Sequence, residues 1–169
     1  MLNTSNGLNV SSIAVQISSA FGWRHRPNKK TDSTELTEDE LISLNEIWKF
    51  NWSEIPDEVW ECHSDALSWL SPLAFCYYLP GALTYVLHKN GFDGFIASRI
   101  GIFLDRTPEL DLWDDFFIDR WSELTLDELK AIEMWLQWFC DRTSIFDEVS
   151  LIRMLLTIEI LKENKKMSE

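Results

Sequence analysis

Two Thr-x-x-Glu segments, Thr37–Glu40 and Thr125–Glu128, constrain the fold of this chain more than any other feature, because each spells the start of an α-helix. In both, the Thr hydroxyl can accept a bond from a free N–H of the first turn while the Glu carboxylate reaches back to the Thr N–H. Apolar residues follow at helical spacing: Leu41, Leu44 and Trp48 after the first, Leu129, Ile132, Leu136 and Phe139 after the second. Val149, Ile152, Leu156 and Ile160 make a third stripe. Ser71-Pro72 and Thr107-Pro108 place a capping residue before a proline at the first helical position, where the missing N–H costs nothing. Ser144 with Asp147 is a weaker start, and Asn90-Gly91 after His88 and Lys89 reads as a stop. No stretch alternates convincingly as a half-buried strand does, and no Asn-Gly or Asp-Gly joins two strand-like runs. The pattern predicts an all-α single domain, a compact bundle or orthogonal array of about eight helices. They fall near 9–22, 37–50, 56–69, 71–79, 80–90, 93–106, 108–122, 125–141 and 145–165, with some merging. A polar linker is expected over 24–36 and a frayed tail over 163–169.

A chain of 169 residues suits one domain that buries roughly 70% of its unfolded surface, so no disulfide or metal staple is required. Cys62, Cys76 and Cys140 are odd in number and show no CxxC spacing, which reads as reduced thiols in a cytoplasm. Residues 1–22 are uncharged and Ser-rich, with their cations following rather than leading, which argues against a secretory signal. Ala66 to Leu87 holds no charged residue and could span a bilayer by length. Pro72 and Pro80 are expected to cut it into a pair of short buried helices instead.

The net charge of −13 is unevenly spread. Residues 1–30 carry Arg24, Arg26, Lys29, Lys30 and no acid, so 11 of the 15 cations face all 28 carboxylates in the remainder. Such a body repels nucleic-acid phosphates and anionic membranes, and attracts a basic partner. The sharpest acidic cluster is Asp111, Asp114, Asp115 and Asp119. At helical spacing it opposes Trp113, Phe116, Phe117 and Leu124, and it is either the wet face of an amphipathic helix or a carboxylate row offered to a cation. One helix makes a poor hard-metal site, and no metal or cofactor is expected. Glu38, Asp39 and Glu40 suit the first turn of a capped helix.

His25, His63 and His88 form no HExxH, and Cys62-His63-Ser64-Asp65 is not a catalytic triad by sequence alone, since adjacent residues on a helix point apart. Neither a Gly-rich phosphate loop nor a GxSxG elbow occurs. Most of the nine Trp sit on helical stripes and read as core, Trp52 and Trp60 flank the Ile55-Pro56 turn, and Trp23 is the one expected to be exposed.

Ser71-Pro72-Leu73-Ala74-Phe75-Cys76-Tyr77-Tyr78-Leu79-Pro80, with Leu83, resembles the SPxAFxYYLPxxL core of an uncharacterised bacterial family of small acidic helical proteins. Ala20-Phe21, Leu36-Thr37 and Trp52 to Pro56 look similar too, and the likeness covers residues 10–90 best. It implies a bacterial, all-helical protein and brings no assigned activity with it. The leading functional expectation is non-catalytic protein binding, by acidic helix faces at Asp111, Asp114, Asp115 and Asp119, as in an immunity- or antitoxin-type inhibitor of a basic partner. The alternatives are a small-molecule binder or enzyme with a pocket near His63, Tyr77 and Tyr78, and a self-associating structural subunit.

Overall fold

The structure, a computed structural model, describes residues 9–168. The first eight residues of the 1–22 stretch, and Glu169 of the tail, lie outside it. The described residues form eight α-helices: α1 Val10–Phe21, α2 Glu38–Trp48, α3 Asp57–Cys62, α4 Pro72–Lys89, α5 Phe95–Leu104, α6 Asp115–Trp121, α7 Leu126–Cys140 and α8 Glu148–Ser168. Single 3-10 turns lie at Ser64–Ser68 and Leu110–Leu112, and there is no strand among the described residues.

Both capping boxes form as written. Glu40 Oε2 accepts from the Thr37 N–H at 2.7 Å, and Glu128 Oε2 from the Thr125 N–H at 2.8 Å. Ser71 caps α4, and Asn90 ends it in the left-handed conformation (φ 49°), with the Gly91 N–H returning to the Val86 carbonyl at 2.9 Å.

α4 is the centre of the molecule, and it corrects the expected break at Pro80. One helix of 18 residues runs through the proline, buried from Ala74 through Leu83 and again at Val86 and Leu87. A helix that is apolar all round belongs in a core. Proline costs about 3 kcal/mol inside a helix, because it cannot donate to the Cys76 carbonyl. Burying side chains such as Phe75, Tyr78 and Leu79, at about 1.5–3 kcal/mol for each large apolar one, outweighs that loss. Around α4 pack α1, α3, α5 and α6; α7 lies between α1 and α8, and α2 covers α3 and the Ser64–Ser68 turn.

Three other expectations are corrected. The 56–69 helix breaks at His63 (φ −129°), whose ring Nδ1 sits 3.2 Å from Ser43 Oγ. Thr107-Pro108 opens no helix. The Thr107 carbonyl instead accepts from the buried Trp113 indole at 2.8 Å, which folds the segment back, and α6 starts later at an Asp114 cap. On α8 the stripe points outward. Val149, Ile152 and Leu156 are 59%, 50% and 45% exposed, and the buried face is Ser150, Met154, Thr157, Ile158 and Leu161. α8 runs to Ser168.

Residues 24–36 carry no helix, yet they are strapped to the body by their own basic side chains and backbone. Ser71 donates its N–H to the Lys30 carbonyl (2.8 Å) and its hydroxyl to the Lys29 carbonyl (2.9 Å). Arg26 bonds Asn51 Oδ1 at 3.3 Å and lies over the Trp48 ring, and Lys30 bonds Asn45. Arg24 forks onto Glu128, Nε to Oε1 at 2.5 Å and Nη2 to Oε2 at 2.7 Å, with both side chains buried. The basic N-terminal stretch thus neutralises part of the acidic body. The exposed tryptophan is Trp23, as expected, whereas Trp60, Trp121, Trp135 and Trp138 are buried.

Three surface carboxyls tie connecting segments, and each is held below the usual Asp range. The Ser144 backbone N–H does this for Asp93, the Arg153 guanidinium for Asp105, and the Ser150 backbone N–H for Asp147. A depressed folded-state value means that the stabilisation is present above the unfolded value of 3.8 and disappears as pH falls through the lower folded value. Stability is therefore expected to fall below about pH 4, and Asp105→Asn should flatten that acid limb in denaturation curves taken between pH 2 and 6. An unchanged limb would show that the Asp105–Arg153 pair is not linked to folding.

Candidate partner-binding site

The structure places the four clustered carboxylates on two elements instead of one face. Asp111 is exposed on the Leu110–Leu112 turn. Asp114 is the N-cap of α6, accepting the Phe117 N–H at 2.8 Å, and it pairs with Arg106 Nη1 at 3.1 Å. Its chemistry is spent on structure. Asp115 and Asp119 are exposed one helical turn apart on α6. Among the described residues no Lys or Arg forms an ion pair with Asp111, Asp115 or Asp119, although Arg120 lies close enough for its guanidinium to feel the Asp119 charge.

Beside them opens a groove of about 520 Å³ between α6, the start of α7 and the end of α8. Its floor is the nearly buried Trp113, Trp121, Leu124, Leu129 and Leu161. Leu110 and Ile118 form the α6-side rim at 45% and 38% exposure, and Leu112, beside Asp111, is 70% exposed. On the facing wall are Asn164 and Lys165, whose Nζ donates to the Ser122 carbonyl at 3.0 Å. The Trp121 indole N–H is buried without an acceptor among the described residues. Sequence reasoning missed this groove. Its signal was apolar residues, Leu110, Leu112 and Ile118, interleaved with the acids on the side read as wholly wet.

His63, Tyr77 and Tyr78 do not converge on a shared opening in this way. The two tyrosine rings are buried edge to face, 4.9 Å apart. Tyr78 donates to the Phe50 carbonyl at 2.9 Å and Tyr77 to Asn51 Oδ1 at 3.2 Å, while His63 turns to Ser43. Burial pushes the Tyr78 hydroxyl up to about 12. A hollow of about 250 Å³ exists elsewhere, at Trp52, Asp57, Thr84, Tyr85 and His88. Among the described residues no three His, Cys, Asp or Glu side chains gather as metal ligands would.

The thiols divide sharply. Cys76 is buried and its Sγ donates to the Arg120 carbonyl at 3.2 Å; burial pushes it to about 12, and burial followed by Asp141 does the same for Cys140. Cys62 is exposed at the end of α3. Because the thiolate is the nucleophile, iodoacetamide at pH 8 should label the native chain at Cys62 alone and all three cysteines after denaturation. Rapid native labelling of Cys76 would contradict the packing around α4.

A family model matches residues 11–146, that of a family of unknown function designated DUF6714. The chain belongs to this family. The DUF6714 match takes in α1 to α7 and the acidic turn, and the Ser71–Leu83 motif is the buried body of α4. It ends before α8, which supplies one wall of the groove through Leu161, Asn164 and Lys165. No curated protein and no solved structure matches the chain. No described helix is long and apolar enough to cross a membrane.

Proposed function

We propose that this DUF6714 protein binds another protein without catalysing a reaction, and that the acidic turn with α6 is the face it presents. The observation that carries the reading is the trio Asp111, Asp115 and Asp119, exposed, outside any ion pair among the described residues and interleaved with the exposed Leu110, Leu112 and Ile118. Some acids elsewhere are paired, Glu128 with Arg24, Asp105 with Arg153 and Glu133 with Lys162, and others such as Glu58 and Asp141 are exposed without an ion pair; what sets the trio apart is the exposed apolar side chains interleaved with it. Carboxylates left unpaired beside apolar side chains favour a basic partner, since complementary charge speeds encounter and apolar contact holds the complex. A net charge of −13 adds long-range attraction for a cation. An inhibitor that neutralises a basic toxin is the specific form of this reading.

Affinity capture from the native cell extract tests it, run with the natural chain and with Asp111→Lys/Asp119→Lys, which leaves the Asp114 cap intact. The expected result is a basic protein retained at low salt, released as salt rises, and lost with the variant. Retention of the same protein by the variant, or no retention at low salt, would overturn the reading.

A further inference from the structure

We infer that the groove between α6 and α8 seats a cationic amphipathic α-helix of the partner. This rests on the protein-binding reading above and adds what the bound segment is. Three observations carry it. The first is the chemistry of the walls. Every side of the groove is helix, 3-10 turn or tight loop, and the described residues offer no sheet edge. An extended peptide would find no ladder of backbone partners there, whereas a helix satisfies its own N–H and C=O groups and brings only side chains. The second is extent. The floor of Trp113, Trp121, Leu124, Leu129 and Leu161 takes apolar anchors, and Leu110 and Ile118 carry the apolar lining out to the exposed rim, with Leu112 exposed on the same turn as Leu110. Covering both needs a body wider than a small molecule held in the groove. The third is charge. Asp115 lies three residues before Ile118, and Asp119 follows it, so an occupant resting on Ile118 has carboxylates along that flank and meets them with Lys or Arg, while Lys165 on the facing wall, bonded to the Ser122 carbonyl, keeps the occupant's cations to the α6 side. Trp121 lies in the groove floor at 1% exposure, and its indole N–H, without an acceptor among the described residues, serves as a local probe of occupancy.

The test uses the full chain and a synthetic Leu/Lys peptide of about 18 residues, five helical turns, patterned with one apolar face; a scrambled peptide of the same composition is the control. In ¹⁵N-resolved spectra the indole resonance of Trp121 is identified by its loss in Trp121→Phe. The patterned peptide is expected to shift that resonance and to bind at least about ten-fold more tightly than the scrambled one. Leu110→Asp/Ile118→Asp alters two rim positions already open to water, so its circular dichroism should match the natural chain while affinity falls about ten-fold or more. Equal binding of both peptides, a stationary Trp121 resonance, or unchanged affinity in the rim variant would each overturn the helix seat. If Asp111→Lys/Asp119→Lys alone weakens binding and the rim variant does not, the seat fails while the acidic docking face stands. If neither variant matters, both fail.

Discussion

Replacing Glu128 with Ala is expected to destabilise the protein by about 3–5 kcal/mol, which for a chain of this size lowers Tm on the order of 10 °C. Glu128 is fully buried 104 residues beyond Arg24, and its two oxygens take three bonds: two from the Arg24 guanidinium and one from the Thr125 N–H. Without it, Arg24 keeps the Glu123 carbonyl at 2.9 Å and the face of Trp23, neither of which neutralises a buried cation. Burial alone would lower the Arg24 pKa; the Glu128 hydrogen bond and nearby negative charges more than offset it, so the guanidinium stays charged. The carboxylate half of the α7 capping box, the bond from the Thr125 N–H, is lost as well, adding about 1 kcal/mol, while the Thr125 hydroxyl still accepts from the N–H of residue 128. A double-mutant cycle separates the parts. Arg24→Met/Glu128→Met should recover much of the loss, because removing both charges leaves no unpaired ion in the interior. Urea denaturation of the two single variants and the double reads this directly. A cost under about 1 kcal/mol for Glu128→Ala would mean that the strap over residues 24–36 is held by its backbone bonds to Ser71 and not by the ion pair.

Glu128 also shows where a sequence stops being informative. Its place in Thr-x-x-Glu explains it locally and completely, so nothing hinted at a second role against a residue in the first quarter of the chain. What depended on neighbours within one turn was legible: both capping boxes, the Ser71-Pro72 start, the Asn90-Gly91 stop and the α7 stripe all appear in the fold. What depended on tertiary choice was not. α8 has two apolar stripes, one through Val149, Ile152 and Leu156 and one through Met154, Ile158 and Leu161, and periodicity cannot say which meets the core. Pro80 breaks an isolated helix, but enough apolar surface surrounds it here for packing to prevail. For the candidate site, the acids Asp111, Asp115 and Asp119 were visible as a cluster, yet Asp114 became a cap because Trp113 is buried and tied to Thr107. The groove draws on α6, α7 and α8 together, so no window of sequence contains it.

Gly81→Ala should destabilise the fold by about 1–2 kcal/mol, and Gly81→Val by about 3 or more, although helix propensity alone predicts the opposite sign for Ala. Gly81 lies in the interior of α4, where Ala is normally favoured over Gly by about 1 kcal/mol. A Cβ there would press directly on the Trp52 carbonyl oxygen and come within 3.1 Å of Trp60 Cζ2. A flexible side-chain tip could move aside at little cost. A backbone carbonyl moves only with its loop, and this loop also supplies the Phe50 carbonyl and the Asn51 side chain that satisfy Tyr78 and Tyr77. Displacing it would strain or break those bonds, and each buried hydroxyl left unpaired costs about 1–3 kcal/mol, so sterics outweigh propensity. Gly91→Ala is the internal comparison: a Cβ there meets nothing nearer than Lys89 Cβ at 3.7 Å, and its effect should stay within about 0.5 kcal/mol. Stabilisation by Gly81→Ala in the same denaturation assay would show that the Trp52 loop yields freely, and that the two tyrosines do not depend on its position.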